Sequence, residues 1–462
     1  MTARLGLASL GSVPRGVRRP RYDVGSLRVG IVHLGLGAFH RAHQAVFTED
    51  AIERSGGDWG IAGVSLHHAG VVDAMTPQDC LYTVETLDSV PSYRVVGAIR
   101  RALMATRDRD EILALLSAPA TRVVTLTITE KGYCLGTDER LDLAHPEIVH
   151  DLASPLAPRS AIGWLALALQ TRAQSQAGPI TILSCDNLPA NSAKLERAVR
   201  AFSERAFGRG DKVTASFPQT MVDCIVPATD DESRARVRNA LGLEDAASVE
   251  REPFAQWVIE NRIAGPLPDW SGAGAEIVDD VAAYERLKLH VLNASHSALA
   301  YLGLARGLRF VREAIADDEL SRFVDEMVTA EIAPALAPLQ VADYWRSVRK
   351  RLSNPMLEHK LAQIAEDGSV KLNARIFPIL IANVRAQRPS ARLAAVVRAW
   401  MDFVRRPDIK DPQAARFAAW ASAGGDRAAL LDDKAVFPDA FRTESSLRAA
   451  LLDGGHRCAR SA

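Results

Sequence analysis

Short β-branched runs alternate with helical stretches between residues 28 and 185, and no other feature of the sequence limits the possible folds as strongly. The runs are 28–34 (RVGIVHL), 59–66 (WGIAGVSL), 93–99 (YRVVGAI), 122–128 (RVVTLTI) and 180–185 (ITILSC). Helical patterns follow the first run through Glu53 and occupy 161–176. Strands alternating with helices predict a mostly parallel, doubly wound sheet, and ligands on such sheets sit beyond the carboxyl ends of the strands. Two more strand-like stretches, 216–227 and 251–261, complete this part, and from about residue 281 the pattern is helical to the end, including 319–331, 355–367, 375–385 and 392–404. The expected class is α/β: a Rossmann-type doubly wound sheet domain over 1–280, followed by a mostly α-helical substrate-binding domain over 281–462.

The first run ends in Gly35-Leu36-Gly37-Ala38-Phe39-His40 and a helix. Strand, glycine turn and helix are the context in which a glycine pair suggests dinucleotide binding. Gly35 allows the tight turn, and Gly37 lets a pyrophosphate approach the backbone amides at the helix start. His40 replaces the third glycine of the usual motif. The second run lacks the acid that binds the adenosine ribose of NAD, since Ser65, His67 and His68 stand there and the first acid is Asp73. No arginine marks a 2′-phosphate site either, so NAD is favoured with NADP left open.

Residues 284–302, YERLKLHVLNASHSALAYL, place ionisable groups on a helix that is apolar nearly all round. At about 100° per residue, Glu285 and His296 fall almost on one line, with Lys288 and Asn293 on either side. Buried polar groups of this kind cost free energy unless they are paired or face a cavity. The site reading competes with a half-exposed helix in which Lys288 and Glu285 form an ordinary i,i+3 pair.

Composition narrows the function. Lys+Arg and Asp+Glu both number 56, the formal net charge is zero and 48% of residues are hydrophobic, so nothing favours nucleic acid or a membrane surface. A small neutral or anionic ligand is expected instead. The five cysteines form no CxxC pair, which fits a reducing cytoplasm. No apolar run reaches the ~18 residues of a membrane span. Residues 1–22 are arginine-rich and lack acids, but Pro14 and Pro20 interrupt any amphipathic helix, giving a surface lead-in segment rather than a targeting helix.

The blocks GLGAFHRAHQ (35–44), TEKGY (129–133), SCDNLPAN (184–191), FPQTMVD (217–223), EPFAQWVIE (252–260) and YERLKLHVLNASHSALAYLG (284–303) together resemble the mannitol dehydrogenase family of polyol-specific long-chain dehydrogenases and reductases. The resemblance spans roughly 28–375, in the family's order. It implies a nicotinamide cofactor, no metal, and metal-independent interconversion of a secondary alcohol with its keto form, D-mannitol with D-fructose or D-mannonate with D-fructuronate. Carried over by position, Lys288 is the general base, Asn187 and Asn293 hold the reacting oxygen, His296 orients substrate and Glu285 exchanges protons with solvent. Gly35, Gly37, Phe39, His40, Glu130 and Asp223 line the cofactor side, and Lys371 contacts substrate.

A desolvated lysine can lose its proton near neutrality, and two carboxamides can steady an alkoxide without adding charge. Gln363 stands where the mannitol enzymes carry arginine, which is closer to the uronate-reducing branch, and Arg375 suits a substrate carboxylate or a helix surface. The implied partner is a small sugar alcohol, keto-sugar or sugar acid, and the implied assembly a monomer or weak oligomer. One alternative is a metal site built from His33, His40 and His43, which no acid or cysteine joins. Another, from a different class, is a nucleotide-binding sensor lacking turnover.

Overall fold

The computed structural model describes residues 3–208 and 215–452, in two compact units that meet in sequence at Val281 and Ala282. Cys458 lies outside the described residues.

The strands of the first unit are β1 (Val29–Leu34), β2 (Gly60–Ser65), β3 (Tyr82–Thr86), β4 (Ser92–Val96), β5 (Ile99–Met104), β6 (Val123–Leu126), β7 (Ile180–Ser184), β8 (Ala215–Ser216), β9 (Thr220–Asp223), β10 (Val249–Arg251), β11 (Gln256–Glu260) and β12 (Glu276–Val278). Six of them form one parallel sheet in the order β5-β2-β1-β6-β7-β8. This is the Rossmann order, with the chain reversing direction across the sheet between β1 and β6. Its central strands are buried on both faces, as a sheet covered by helices on both sides requires: Ile31, Val32 and Leu34 of β1 and Val123, Val124 and Leu126 of β6 are each at most 1% exposed. Two three-stranded sheets, β10-β3-β4 and β12-β11-β9, flank it.

The single strand expected over 93–99 is two strands in different sheets. β4 pairs antiparallel with β3, whereas β5 joins the parallel sheet beside β2. The break is made by Glu49, whose Oε2 accepts the amides of Gly97 (2.9 Å) and Ala98 (2.7 Å) and the hydroxyl of Tyr22 (2.8 Å). Donors turned toward a carboxylate no longer bond a neighbouring strand, and periodicity alone carries no sign of that diversion.

Burial pushes the Glu49 carboxyl up to about 7 despite these donors and Arg94. A carboxyl raised above its ordinary value of 4.5 binds its proton more tightly in the folded chain, so its contribution to stability is full below pH 4.5 and is lost as pH rises through 7. The expected loss is about 3 kcal/mol. Denaturant unfolding at pH 5 and pH 8 should show it in the wild type and not in Glu49→Gln; equal pH dependence of the two proteins would remove Glu49 as its source.

The N-terminal stretch is not a loose lead-in. Leu5, Val13 and Val17 are buried in a small core with Val24, Leu81, Val95 and Leu241, and the amide of Leu5 donates to Glu244 O at 2.9 Å. Apolar residues spaced irregularly between prolines give no periodic signal, yet each finds a pocket.

The second unit is helical among its described residues, around a core containing Tyr301, Phe377, Trp400, Phe417, Phe437 and Phe441. Only Leu361–Ala365 of the helix expected over 355–367 forms. Before it, Lys360 bridges to Phe310, and after it Glu366 is extended and Asp367 left-handed (φ 55°), which turns the chain into the helix Gly368–Arg375. No helix among the described residues is long and apolar enough to cross a membrane.

Candidate functional site

In the first unit the polar blocks gather at the carboxyl ends of β1, β6 and β7, where a doubly wound sheet binds ligands. Gly35 adopts φ +97°, and a Cβ there would stand 2.1 Å from Thr127 O, so only glycine fits this turn. Its amide donates to Val64 O at 2.8 Å. At Gly37 an added Cβ would meet nothing nearer than Gly35 O at 3.7 Å, which leaves the backbone at the start of the helix Ala38–Ala42 open to close approach. This open cradle fits a dinucleotide pyrophosphate. The end of β2 carries neither acid nor arginine, and the Ser65 hydroxyl donates to His68 O at 2.6 Å.

His33 supports the turn from below. Its Nδ1 lies 2.7 Å from Thr125 Oγ1, its Nε2 lies 2.9 Å from Thr127 Oγ1 and 3.1 Å from Gly35 O, and burial lowers its pKa to about 3. His40 is fully buried and stacks on His33 with ring centroids 3.4 Å apart, while His43 Nε2 donates to Gln256 O at 2.9 Å. The trio therefore meets hydroxyls, carbonyls and aromatic faces, and does not converge on a common centre. Phe39 stacks on His43 at 5.0 Å, and Gln256 pairs across the ladder with the buried Asp223.

Asp186 is a brace between two loops. It accepts from the amides of Ile128 (3.1 Å) and Thr129 (2.8 Å) and from the Tyr133 hydroxyl (2.9 Å), tying the loop after β7 to the loop after β6. Thr129 is held at φ +63°, a conformation a threonine keeps only when its surroundings over-determine it. Glu130, the next residue, is exposed at this end. The exposed Asn187 follows Asp186, and Asn191 Nδ2 secures the same loop through Asp186 O (3.1 Å) and Thr220 O (2.9 Å). Asp186 and His33 carry this scaffold, and neither had a sequence signal beyond its place at a strand end.

In the second unit the expected continuous helix over 284–302 is three segments: an α-helix Ala282–Leu287, a π-helical turn Lys288–Asn293 and an α-helix Ala294–Ala305. A π turn accommodates an extra residue, so everything after it is rotated by about 100° relative to an uninterrupted helix. The alignment of Glu285 with His296 expected from regular spacing therefore does not hold. Burial also begins only at the π turn: none of Ala282–Leu287 is buried, whereas Lys288 is 9% and His296 8% exposed. Glu285 and Asn293 are half-buried.

Arg375 is tied to this turn. Its Nη1 donates to Asn293 O (3.3 Å) and Ser297 Oγ (3.1 Å), and its own carbonyl lies 2.9 Å from His290 Nδ1. Lys371, one turn earlier on the same helix, donates to Ile364 O at 3.2 Å. The His296 ring lies 5.3 Å from that of His359, and its Nε2 is buried with no hydrogen bond among the described residues. Burial first, then the charges of His359, Arg351 and Arg375, hold His296 well below its ordinary pKa, so it is neutral at neutral pH. His359 and the buried Arg351 had no sequence signal, since they reach the site from a segment 55–63 residues away along the chain. Gln363 is exposed.

One further group has metal-ligand character: Cys134, His145 and Glu147 bring one ligand atom each within 4.8 Å of one another. The His145 ring accepts the Glu147 amide at 3.3 Å as a helix cap, and burial with Glu147 nearby pushes the Cys134 thiol up to about 12. A thiol held protonated and a histidine used as a cap account for the cluster as packing.

The glycine turn, the six-stranded parallel order and the braced strand ends define a Rossmann-type dinucleotide-binding protein joined to a helical unit with a buried lysine. The chain belongs to the mannitol dehydrogenase family of oxidoreductases: residues 29–272 match the family's Rossmann domain and 280–450 its C-terminal domain. It is 36% identical over 448 residues to D-mannonate oxidoreductase of Escherichia coli (strain K12), covering 92% of both chains. It is 34% identical over 465 residues to mannitol 2-dehydrogenase of Pyrenophora tritici-repentis (strain Pt-1C-BFP), covering 96% of this chain and 82% of that protein. Pseudomonas fluorescens mannitol 2-dehydrogenase, solved as a ternary complex with NAD and D-mannitol, superposes with a TM-score of 0.83 at 32% identity, covering 97% of this chain and 96% of that one.

Proposed function

We propose that the protein is a metal-independent NAD(P)-dependent dehydrogenase or reductase that interconverts the secondary alcohol of a polyol or an aldonate with its ketone, with Lys288 as general base. The observation that carries this reading is the π turn Lys288–Asn293, which buries an amine and ends on a carboxamide. Such turns inside α-helices are frequent at functional sites. The relatives named for D-mannonate and mannitol oxidation, and the one solved with NAD and D-mannitol, support the substrate class and the cofactor.

Nicotinamide, when bound, supplies the hydride acceptor. Gly35 and Gly37 admit its pyrophosphate to the backbone, and Phe39, His40, Glu130 and Asp223 are assigned to the same side. Lys288 takes the hydroxyl proton as the carbonyl forms and returns it in the reverse direction. Asn187 and Asn293 donate to the oxygen as charge develops, His296 orients a neighbouring hydroxyl through its neutral ring, Glu285 passes the proton on to solvent, and Lys371 and Arg375 hold the far end of the substrate.

The purified chain should change absorbance at the nicotinamide band with D-mannitol or D-mannonate and NAD, or with the corresponding keto compounds and NADH, unaffected by chelator. Abolition by chelator would overturn the metal-free mechanism. NADH binding without turnover of any of these compounds would favour the sensor alternative.

A further inference from the structure

We infer that Arg41 is a positioning residue of the cofactor site, which fixes the carbonyl of Gly37 and keeps a positive charge beside the backbone that receives the pyrophosphate. The inference rests on the dinucleotide reading of the glycine turn and adds a cation to it. Gly37 O accepts from both the amide (3.3 Å) and the Nε (3.2 Å) of Arg41. A carbonyl held by the residue four places on points along the helix, away from an anion at its start. The guanidinium is anchored in turn by Nη1, which donates to Ala247 O. The Tyr82 hydroxyl donates to Arg41 O at 2.8 Å, and its ring centroid lies 5.8 Å from the guanidinium carbon.

Arg41 is only 9% exposed and makes no ion pair among the described residues. The acid that acts on it from the neighbouring elements is Asp245, whose carboxylate is taken up by Gln78 Nε2 (2.8 Å) and the amides of Thr83 (2.6 Å) and Ala247 (2.9 Å). Burial outweighs Asp245 and Tyr82, so the surroundings favour the charged guanidinium less than water does. Arginine keeps its charge all the same, and an anion is what the surroundings lack. Arg172 supplies the contrast within the same unit. It too is buried, but Nη1 and Nη2 each bond two carbonyls, of Leu116 and Ala118 and of Ala177 and Gly178, so both terminal nitrogens are saturated. Arg41 leaves Nη2 without a hydrogen bond among the described residues. A backbone staple has no need of that surplus, whereas a diphosphate at Gly37 answers it.

The test is binding of NADH to the full chain, followed by quenching of protein fluorescence, with ADP and adenosine as competitors. Arg41→Met, which keeps the apolar stem, should weaken NADH and ADP by about tenfold and leave adenosine, which carries no phosphate, within about twofold of the wild type. Arg41→Lys keeps the charge and should recover most of the loss. In turnover, KM for NAD should rise while kcat at saturating NAD stays within about twofold, as loss of uniform binding predicts. Unchanged NADH affinity in Arg41→Met, equal weakening of adenosine and NADH, or Arg41→Lys as weak as Arg41→Met would overturn the inference while leaving the cofactor reading in place. Should thermal unfolding show that Arg41→Met does not fold, Arg41→Gln, neutral but able to hydrogen-bond, takes its place with the same expected losses. A wild type that binds neither NADH nor ADP would sink the cofactor reading itself, and the inference with it.

Discussion

Lys288→Ala is expected to lower kcat by roughly 10²–10⁴-fold, the range a positioned acid–base group supplies, while NAD still binds. Lys288 is only 9% exposed and opens the π turn on which Asn293 lies, so the loss reflects removal of an amine held away from bulk water rather than of a surface charge. The measurement is turnover beside cofactor affinity, the latter by quenching of protein fluorescence. A variant with wild-type turnover would remove the base assignment. Truncation at a buried position also risks the fold, so Lys288→Met, which keeps the apolar stem, serves as the control for packing.

Asn293→Ala should cost roughly 10²–10³-fold in kcat, the loss expected when one donor to a developing oxyanion is removed. The structural contacts of Asn293 run through its backbone: its carbonyl accepts from Arg375 and from the Ser297 hydroxyl (3.2 Å), and alanine keeps both. Thermal stability should therefore change little while turnover falls. Asn293→Asp is the sharper variant, because an anion of nearly the same shape repels the alkoxide, and it should fall below the alanine variant above the carboxyl's titration. In the proposed mechanism Asn187 serves the same oxygen, and on that reading the double variant should lose less than the product of the two single losses. Independent, fully multiplicative effects would mean that the two carboxamides do not share a target.

Recognition from the residues was strongest where chemistry is local. The run VGIVHLGLG announces a strand, a tight turn and a helix, and the structure places them at β1, Gly35 and Ala38–Ala42. Spacing failed where a distant group captures the backbone, as Glu49 does at Gly97 and Ala98. It failed again at Lys288–Asn293, because a helical wheel assumes one angular step throughout. The identity of the helix was legible, and its internal geometry was not.

From its order of residues alone, this chain determines a parallel sheet, a glycine turn after its first strand, and a set of lysine, asparagine and histidine side chains on one helical stretch. Each follows from steric limits and hydrophobic period, which act over a few residues. Tertiary structure decided the rest: that Asp186 ties two loops together, that His33 is a neutral prop under the turn, and that Arg351, His359 and Arg375 come near His296. Those outcomes depend on burial and on charges brought close from far along the chain, and neither is encoded in the spacing of neighbouring residues.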